Sequence, residues 1–204
     1  KEKAKNVKIG TFLDKNTIAY SFNFENALMK IENLASAIPK KIGTGDYTKF
    51  TTVFGIFLLS EVESLNALII FIKTELETIQ KEYMRGYISK KGLMINRNQI
   101  PHDWKKVANF WISRNLDDLV SFVSSSHRQL MKMIKNSNLA AYDIRYFFNP
   151  KLLFQSFILQ YAIDSNIPVE KLKYEFHVTE NSLFELSEAP RKQHLGTLSL
   201  KGLS

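Results

Sequence analysis

One apolar stripe constrains the fold of this protein more than any other feature. Between residues 58 and 83, apolar side chains recur in alternating steps of four and three: Leu58, Val62, Leu65, Ile69, Ile72, Leu76, Ile79 and Tyr83. This spacing puts all of them on one face of an α-helix, as in a helical bundle. It predicts one buried-faced helix from about Tyr47 to Arg85, ended by Gly86 and a turn at Lys90-Lys91-Gly92.

The same segment holds a window, Val53 to Ile72, that matches the roughly 20 residues needed to cross a bilayer. Glu61 and Glu63 lie inside this window, and a carboxylate is costly in hydrocarbon. The window therefore favours a buried helix of a soluble protein. Side chains this close in sequence point apart on a helix, so we interpret the two carboxylates as solvated, with no shared acid–base role.

Other segments carry local helix signals. Asn23 to Ile38 begins with an N-cap residue and is followed by Pro39, and a second helix is expected from Asn115 to about Asn136. Asp103 is expected to cap a short helix that reaches Trp111. The apolar stripe of the second helix is expected at Leu116, Val120, Val123, His127, Leu130 and Ile134.

The last helix is expected to open at Asn149-Pro150, with Pro at the first helical position. It is apolar nearly all round until a break at Asn166-Ile167-Pro168, so we expect it to be buried on two sides. Residues 173–179 and 195–203 alternate like strands and are expected to form a hairpin that packs on other elements. The predicted fold class is mainly α, a bundle of about five to six helices with a small C-terminal β-hairpin.

Charge and composition leave several kinds of partner open. The protein has 204 residues, a formal net charge of +8 and no cysteine. The missing cysteines exclude a disulfide framework and a thiolate metal site, and they fit a reducing compartment. The positive charge could serve nucleic acid, an anionic membrane or an acidic protein. Because the lysines are scattered or paired, a solvated basic surface is favoured.

No catalytic or ligand-binding motif stands out. Gly43, Gly45 and Lys49 do not have the GxxxxGK[ST] spacing of a phosphate-binding loop. Four histidines have no partner at metal-ligand spacing: His102, His127, His177 and His194. His127 falls on a predicted apolar stripe and is interpreted as a half-buried core residue. The residues alone predict no catalytic, cofactor-binding or metal residue, and they favour a structural or interaction domain.

Several motifs nevertheless follow one another in a recognisable order. An acidic helix containing Asn-x-Leu spans Glu61 to Leu68, and a hydrophobic-Pro-x-x-Trp motif spans Ile100 to Trp104. Ile18-Ala19-Tyr20 and Asn26-Ala27-Leu28 precede them. An aromatic and proline-containing helix follows them, with these matching residues: Phe147, Phe148, Pro150, Leu159, Gln160, Tyr161, Ala162, Ile167 and Pro168. In this order the motifs resemble the C-terminal region of dynein heavy chains.

The resemblance covers about residues 17–203, with Ser64 and Leu65 in place of the family's usual Arg and aromatic residue. It implies that residues 1–46 are a lead-in, the helix closing the sixth AAA+ module and a linker. Residues 47–204 would then form a short, fungal-type C-terminal domain, with cytoplasmic dynein as the favoured class.

In functional terms, the resemblance implies a non-catalytic part of a minus-end-directed microtubule motor driven by ATP hydrolysis. The domain would brace the AAA+ ring of the same heavy chain and modulate motility in the cytoplasm, on the cytoskeleton. ATP or ADP and Mg would bind other modules, while the parent would bind microtubules and accessory subunits, with no nucleic acid and no membrane expected. Packing or ring-docking candidates are Trp104, Phe147, Phe148, Pro150, Phe154, Phe157, Tyr161 and Pro168. The alternative is a stand-alone basic helical module that binds nucleic acid or an acidic protein.

Overall fold

The computed structural model describes residues 8–9, 22–43, 51–107, 115–135, 141–172 and 199–201. The described helices are α1 (Phe24–Ala37), α2 (Val53–Met84), α3 (Lys90–Asn96), α4 (His102–Val107), α5 (Leu116–Lys135) and α6 (Pro150–Ser165). The described strands are β1 (Lys8–Ile9), β2 (Tyr87–Ile88), β3 (Ala141–Asp143) and β4 (Ser199–Lys201), and two 3-10 turns lie at Ile144–Tyr146 and Val169–Lys171. The mainly α class is therefore confirmed.

The protein divides into two compact units. The first unit comprises residues 1–41 and 66–124, and the second comprises residues 42–65 and 125–204. Helices α2 and α5 each contribute residues to both units.

The long stripe of α2 is buried along its whole length. None of the eight stripe side chains from Leu58 to Tyr83 is more than 2% exposed. Among the described residues α2 is also the one helix long and apolar enough to cross a membrane, and half of its most apolar window is buried inside the protein. Burial against other protein residues accounts for the apolar character of this helix, as the sequence predicts.

The end of α2 corrects one sequence prediction. The helix ends at Met84, and Gly86 follows with a φ of +71°, a conformation that favours glycine. Lys90-Lys91-Gly92 is not a turn, because these residues form the start of α3. Ser89 caps α3 by accepting a hydrogen bond from the Gly92 N–H at 3.2 Å. A side-chain cap shortly after the glycine turn therefore restarts the helical conformation.

Lys91 joins three helices of the first unit. Its Nζ atom lies 2.6 Å from the Glu75 carboxylate on α2 and 3.1 Å from the Asp103 carboxylate on α4. Asp103 is therefore not the predicted N-cap: it lies within the first turn of α4, where its side chain binds Lys91. Trp104 is buried beside it and packs edge-on against Phe71 at 6.4 Å between ring centroids. The predicted extension to Trp111 lies outside the described residues.

Helix α5 begins as the sequence predicts, and its buried face overlaps the predicted stripe at Leu116, Val123 and Leu130. Asn115 caps it by accepting the Asp118 N–H at 2.9 Å. The buried residues of α5 are Leu116, Leu119, Phe122, Val123, Ser126, Leu130 and Met133. Val120, His127 and Ile134, which the predicted stripe contained, are half-buried. The buried face includes the polar Ser126, which interrupts the apolar pattern. Hydropathy alone therefore does not predict that this face is buried.

The strands form two short parallel pairs. Lys8–Ile9 pairs with Tyr87–Ile88, and Ala141–Asp143 pairs with Ser199–Lys201. The last strand lies within the segment 195–203 that alternation predicted to be extended. The other predicted hairpin strand, residues 173–179, lies outside the described residues, so the predicted hairpin is not shown.

Candidate docking surface

The segment that leads into α6 is held by polar side chains of α5. The Gln129 amide donates to the Asp143 carbonyl at 3.1 Å and accepts the Asp143 N–H at 2.9 Å. Ser126 Oγ donates to the Tyr146 carbonyl at 2.7 Å. The Asp143 carboxylate accepts hydrogen bonds from Arg145 Nε and Nη2 at 2.9 and 2.8 Å, and this raises the pKa of Arg145. These bonds give the backbone before α6 a defined path.

Glu61 holds the start of α6 itself. Its side chain is buried, and its two carboxylate oxygens accept the N–H groups of Phe148 at 2.7 Å and Asn149 at 2.8 Å. Burial raises the pKa of Glu61, although the two backbone hydrogen bonds act in the opposite direction. The prediction that this carboxylate is solvated is therefore wrong. The sequence position of Glu61 indicates that it is buried, because it lies three residues after Leu58 and four before Leu65, on the buried face of the helix.

A second polar contact ties α6 back to the start of α2. Gln160 Oε1 accepts the Val53 N–H at 3.0 Å, while its Nε2 donates to Asp164 at 2.8 Å. Between these ties the aromatic rings of Phe54 and Phe157 pack at 4.8 Å between centroids. Helix α6 thus rests on the first turns of α2 through rings at the centre and hydrogen bonds towards either end.

The predicted two-sided burial of α6 is wrong. Its buried residues are Leu153, Ser156 and Ala162, out of 16 in the helix. Leu152, Leu159 and Ile163 are 39%, 41% and 63% exposed. Their spacings of seven and four place them on one face of the helix. Periodicity could not reveal this division, because apolar side chains surround the helix on every side.

The exposed apolar face continues past the end of α6. Asn166 ends the helix in the left-handed conformation, with a φ of 51°. The Ile167 N–H then donates to the Ala162 carbonyl at 3.0 Å, a bond typical of Schellman helix ends. A shallow depression of about 370 Å³ is lined by Leu159, Ala162, Ile163, Asn166, Ile167, Pro168 and Val169. We call the exposed residues Leu152, Leu159, Ile163, Ile167 and Val169 the docking strip.

A family model for the C-terminal domain of the dynein heavy chain matches residues 14–204. The protein belongs to this family. The resemblance stated from the ordered motifs is therefore confirmed. No curated protein matches the sequence.

Within this dynein C-terminal domain, the packing or docking candidates occupy three kinds of position. Trp104 and Phe147 are buried. The half-buried candidates are Phe148, Pro150, Phe154, Phe157 and Tyr161. Pro168 is exposed at the edge of the depression. Trp104 belongs to the first unit and the other seven to the second. The residues that sequence analysis missed are Glu61 and the exposed docking strip.

The aliphatic side chains of the docking strip can associate with another apolar surface. In the described part of the domain, no group of three or more His, Asp or Glu side chains is placed to hold a metal ion. The strip presents aliphatic side chains on a helix whose start is fixed by Glu61 and whose later turns are tied by Gln160. Such a surface gains free energy by being covered, at about 25 cal/mol per Å² of apolar area removed from water.

Proposed function

We propose that this C-terminal domain of a dynein heavy chain is a non-catalytic brace that docks on the AAA+ ring of its own heavy chain and modulates motility. The observation that carries the proposal is the docking strip of α6, which exposes Leu159 and Ile163 at 41% and 63%. Contiguous exposed aliphatic side chains mark interaction sites on folded proteins. The hydrogen bonds of Glu61 and Gln160 attach the helix that carries this surface to α2.

In this proposal the parent protein is a minus-end-directed microtubule motor of the cytoplasm that hydrolyses ATP. Nucleotide and Mg bind its other modules, and this segment contributes no catalytic group. Membership of the dynein family supports the motor over a stand-alone basic module that binds nucleic acid. The division between residues 1–46 and 47–204 remains a prediction.

The test is made in the parent heavy chain. Ile163→Glu places a carboxylate in the docking strip without replacing a buried residue. The matched control is Ile70→Glu, because Ile70 is also an exposed isoleucine, 48% exposed on α2. A glutamate in a covered apolar surface must be desolvated, so velocity, run length or ATPase rate should fall in the Ile163 variant. Removing residues 140–204 should damage motility or expression more severely.

Single-molecule motility and microtubule-stimulated ATPase assays give these readouts. Velocity, run length and ATPase rate that stay unchanged in the Ile163→Glu motor would contradict the proposed contact. Equal losses in the Ile70→Glu motor would show that the effect is not specific to the docking strip.

A further inference from the structure

Helix α6 is less buried than α2. It buries three of its 16 residues, whereas α2 buries 12 of its 32. Elements with few buried contacts open at lower free energy than the core of a protein. The contacts that hold α6 in place therefore decide whether it opens separately from the rest.

Two of these contacts are reciprocal. Glu61 on α2 accepts the N–H groups of Phe148 and Asn149 at the start of α6, and Gln160 on α6 accepts the N–H of Val53 at the start of α2. Each helix thus satisfies backbone N–H groups at the beginning of the other. The N–H groups of Phe148, Asn149 and Val53 lie just before or at the first turn of a helix and have no partner within that helix, so these bonds replace water.

Burial of Glu61 also works against attachment. A carboxylate removed from water loses hydration free energy, which its two N–H partners offset in part. When α6 separates from α2, Glu61 regains water as the two N–H groups do. Rehydration of the carboxylate therefore lowers the free-energy cost of separating α6 from α2.

We propose that Glu61 and Gln160 form a latch, and that α6 detaches from the first turns of α2 as a local unit when the latch opens. Because Leu159 and Ile163 lie on α6, opening of the latch also changes how the docking strip is presented. The latch is a property of the domain itself and does not depend on what the docking strip binds.

Hydrogen exchange measured by mass spectrometry on the full 204-residue protein tests this proposal. Glu61→Gln keeps one acceptor oxygen but turns an NH2 group towards the second backbone N–H, and Gln160→Ala removes the bond to Val53. Each variant should speed exchange of amides 154–165 by about tenfold or more, the factor expected when a hydrogen bond in a buried site is lost. Exchange of amides 68–83 in α2 should change by less than about threefold, since these residues lie outside the latch.

The matched controls are Glu63→Gln, which changes an exposed carboxylate on α2, and Gln155→Ala, which changes an exposed residue on α6 itself. Neither should alter the exchange of α6 by more than about threefold. If a latch variant speeds exchange of α6 and α2 by the same factor, α6 opens only with the whole domain and the proposal is overturned. A Glu61→Gln protein that does not fold would overturn it as well, because the latch could then not open locally.

Discussion

Replacing Glu61 by glutamine should change how the stability of this domain depends on pH. The carboxyl group is 2% exposed and its pKa is raised above the ordinary value of 4.5, with burial as the largest cause. A carboxyl whose pKa is higher in the folded protein than in the unfolded protein binds a proton more readily when folded. Its contribution to stability is therefore fully present below pH 4.5 and is lost as the pH rises through the folded pKa.

The size of the effect follows from proton linkage. Between the unfolded and folded pKa values of Glu61, each pH unit removes up to about 1.4 kcal/mol from the free energy of unfolding. Glutamine does not titrate, so its variant lacks this slope. The glutamine offers one acceptor oxygen to Phe148 and Asn149, as the protonated carboxyl group does, so the two proteins differ least at low pH. The slope of the difference between the two proteins therefore isolates the ionisation of Glu61.

Urea unfolding followed by circular dichroism from about pH 4 to about pH 7 measures this difference. The stability of the wild-type protein relative to Glu61→Gln should fall as the pH rises. Glu63→Gln, which removes an exposed carboxylate of the same helix, should follow the wild-type curve. Parallel curves for wild type and Glu61→Gln would refute the inference that burial dominates the pKa of this group.

Two further stability predictions concern the first unit. Ile69→Ala should lower the free energy of unfolding by about 2–5 kcal/mol, because the Ile69 side chain is 1% exposed. Ile70 is 48% exposed, so Ile70→Ala should lower it by less than about 1 kcal/mol. Equal losses for the two variants in urea unfolding would contradict the assigned stripe. Gly92→Ala should cost about 1–3 kcal/mol, because the added Cβ would lie 2.8 Å from the buried Tyr83 ring, against which Phe22 packs at 5.5 Å. An unchanged or raised melting temperature in the Gly92 variant would show that the Tyr83 ring yields, leaving the higher helix propensity of alanine to dominate.

Local signals in the sequence predicted the starts of α1, α5 and α6, whereas α2 begins at Val53, later than the predicted start near Tyr47. Asn23 and Asn149 each accept a backbone N–H three residues further on, at 2.9 and 3.2 Å, and Gly86 follows α2 with a positive φ. A cap depends on residues a few positions apart, so its consequence can be read without knowing the fold. The turn predicted at Lys90-Lys91-Gly92 failed, because Ser89 caps a new helix there.

The docking strip could not be predicted in the same way. Helix α6 is apolar on every side, and its sequence contains no polar face to show which side meets water. The side that α6 buries is set by Phe54 and Gln160, which bind elements distant in sequence. Only the folded protein distinguishes Leu153, which is buried, from Leu152, which is exposed.

By itself the sequence determined the mainly α class, the buried stripe of α2, the asparagine caps of α1, α5 and α6 and, through the order of its motifs, the dynein family. These properties rest on spacing between nearby residues, which helical geometry turns directly into a face or an end. Tertiary structure alone decided that Glu61 is a buried acceptor for the start of α6 and that α6 leaves an aliphatic strip exposed. Both depend on contacts between residues 87 to 107 positions apart in sequence, which no local pattern records.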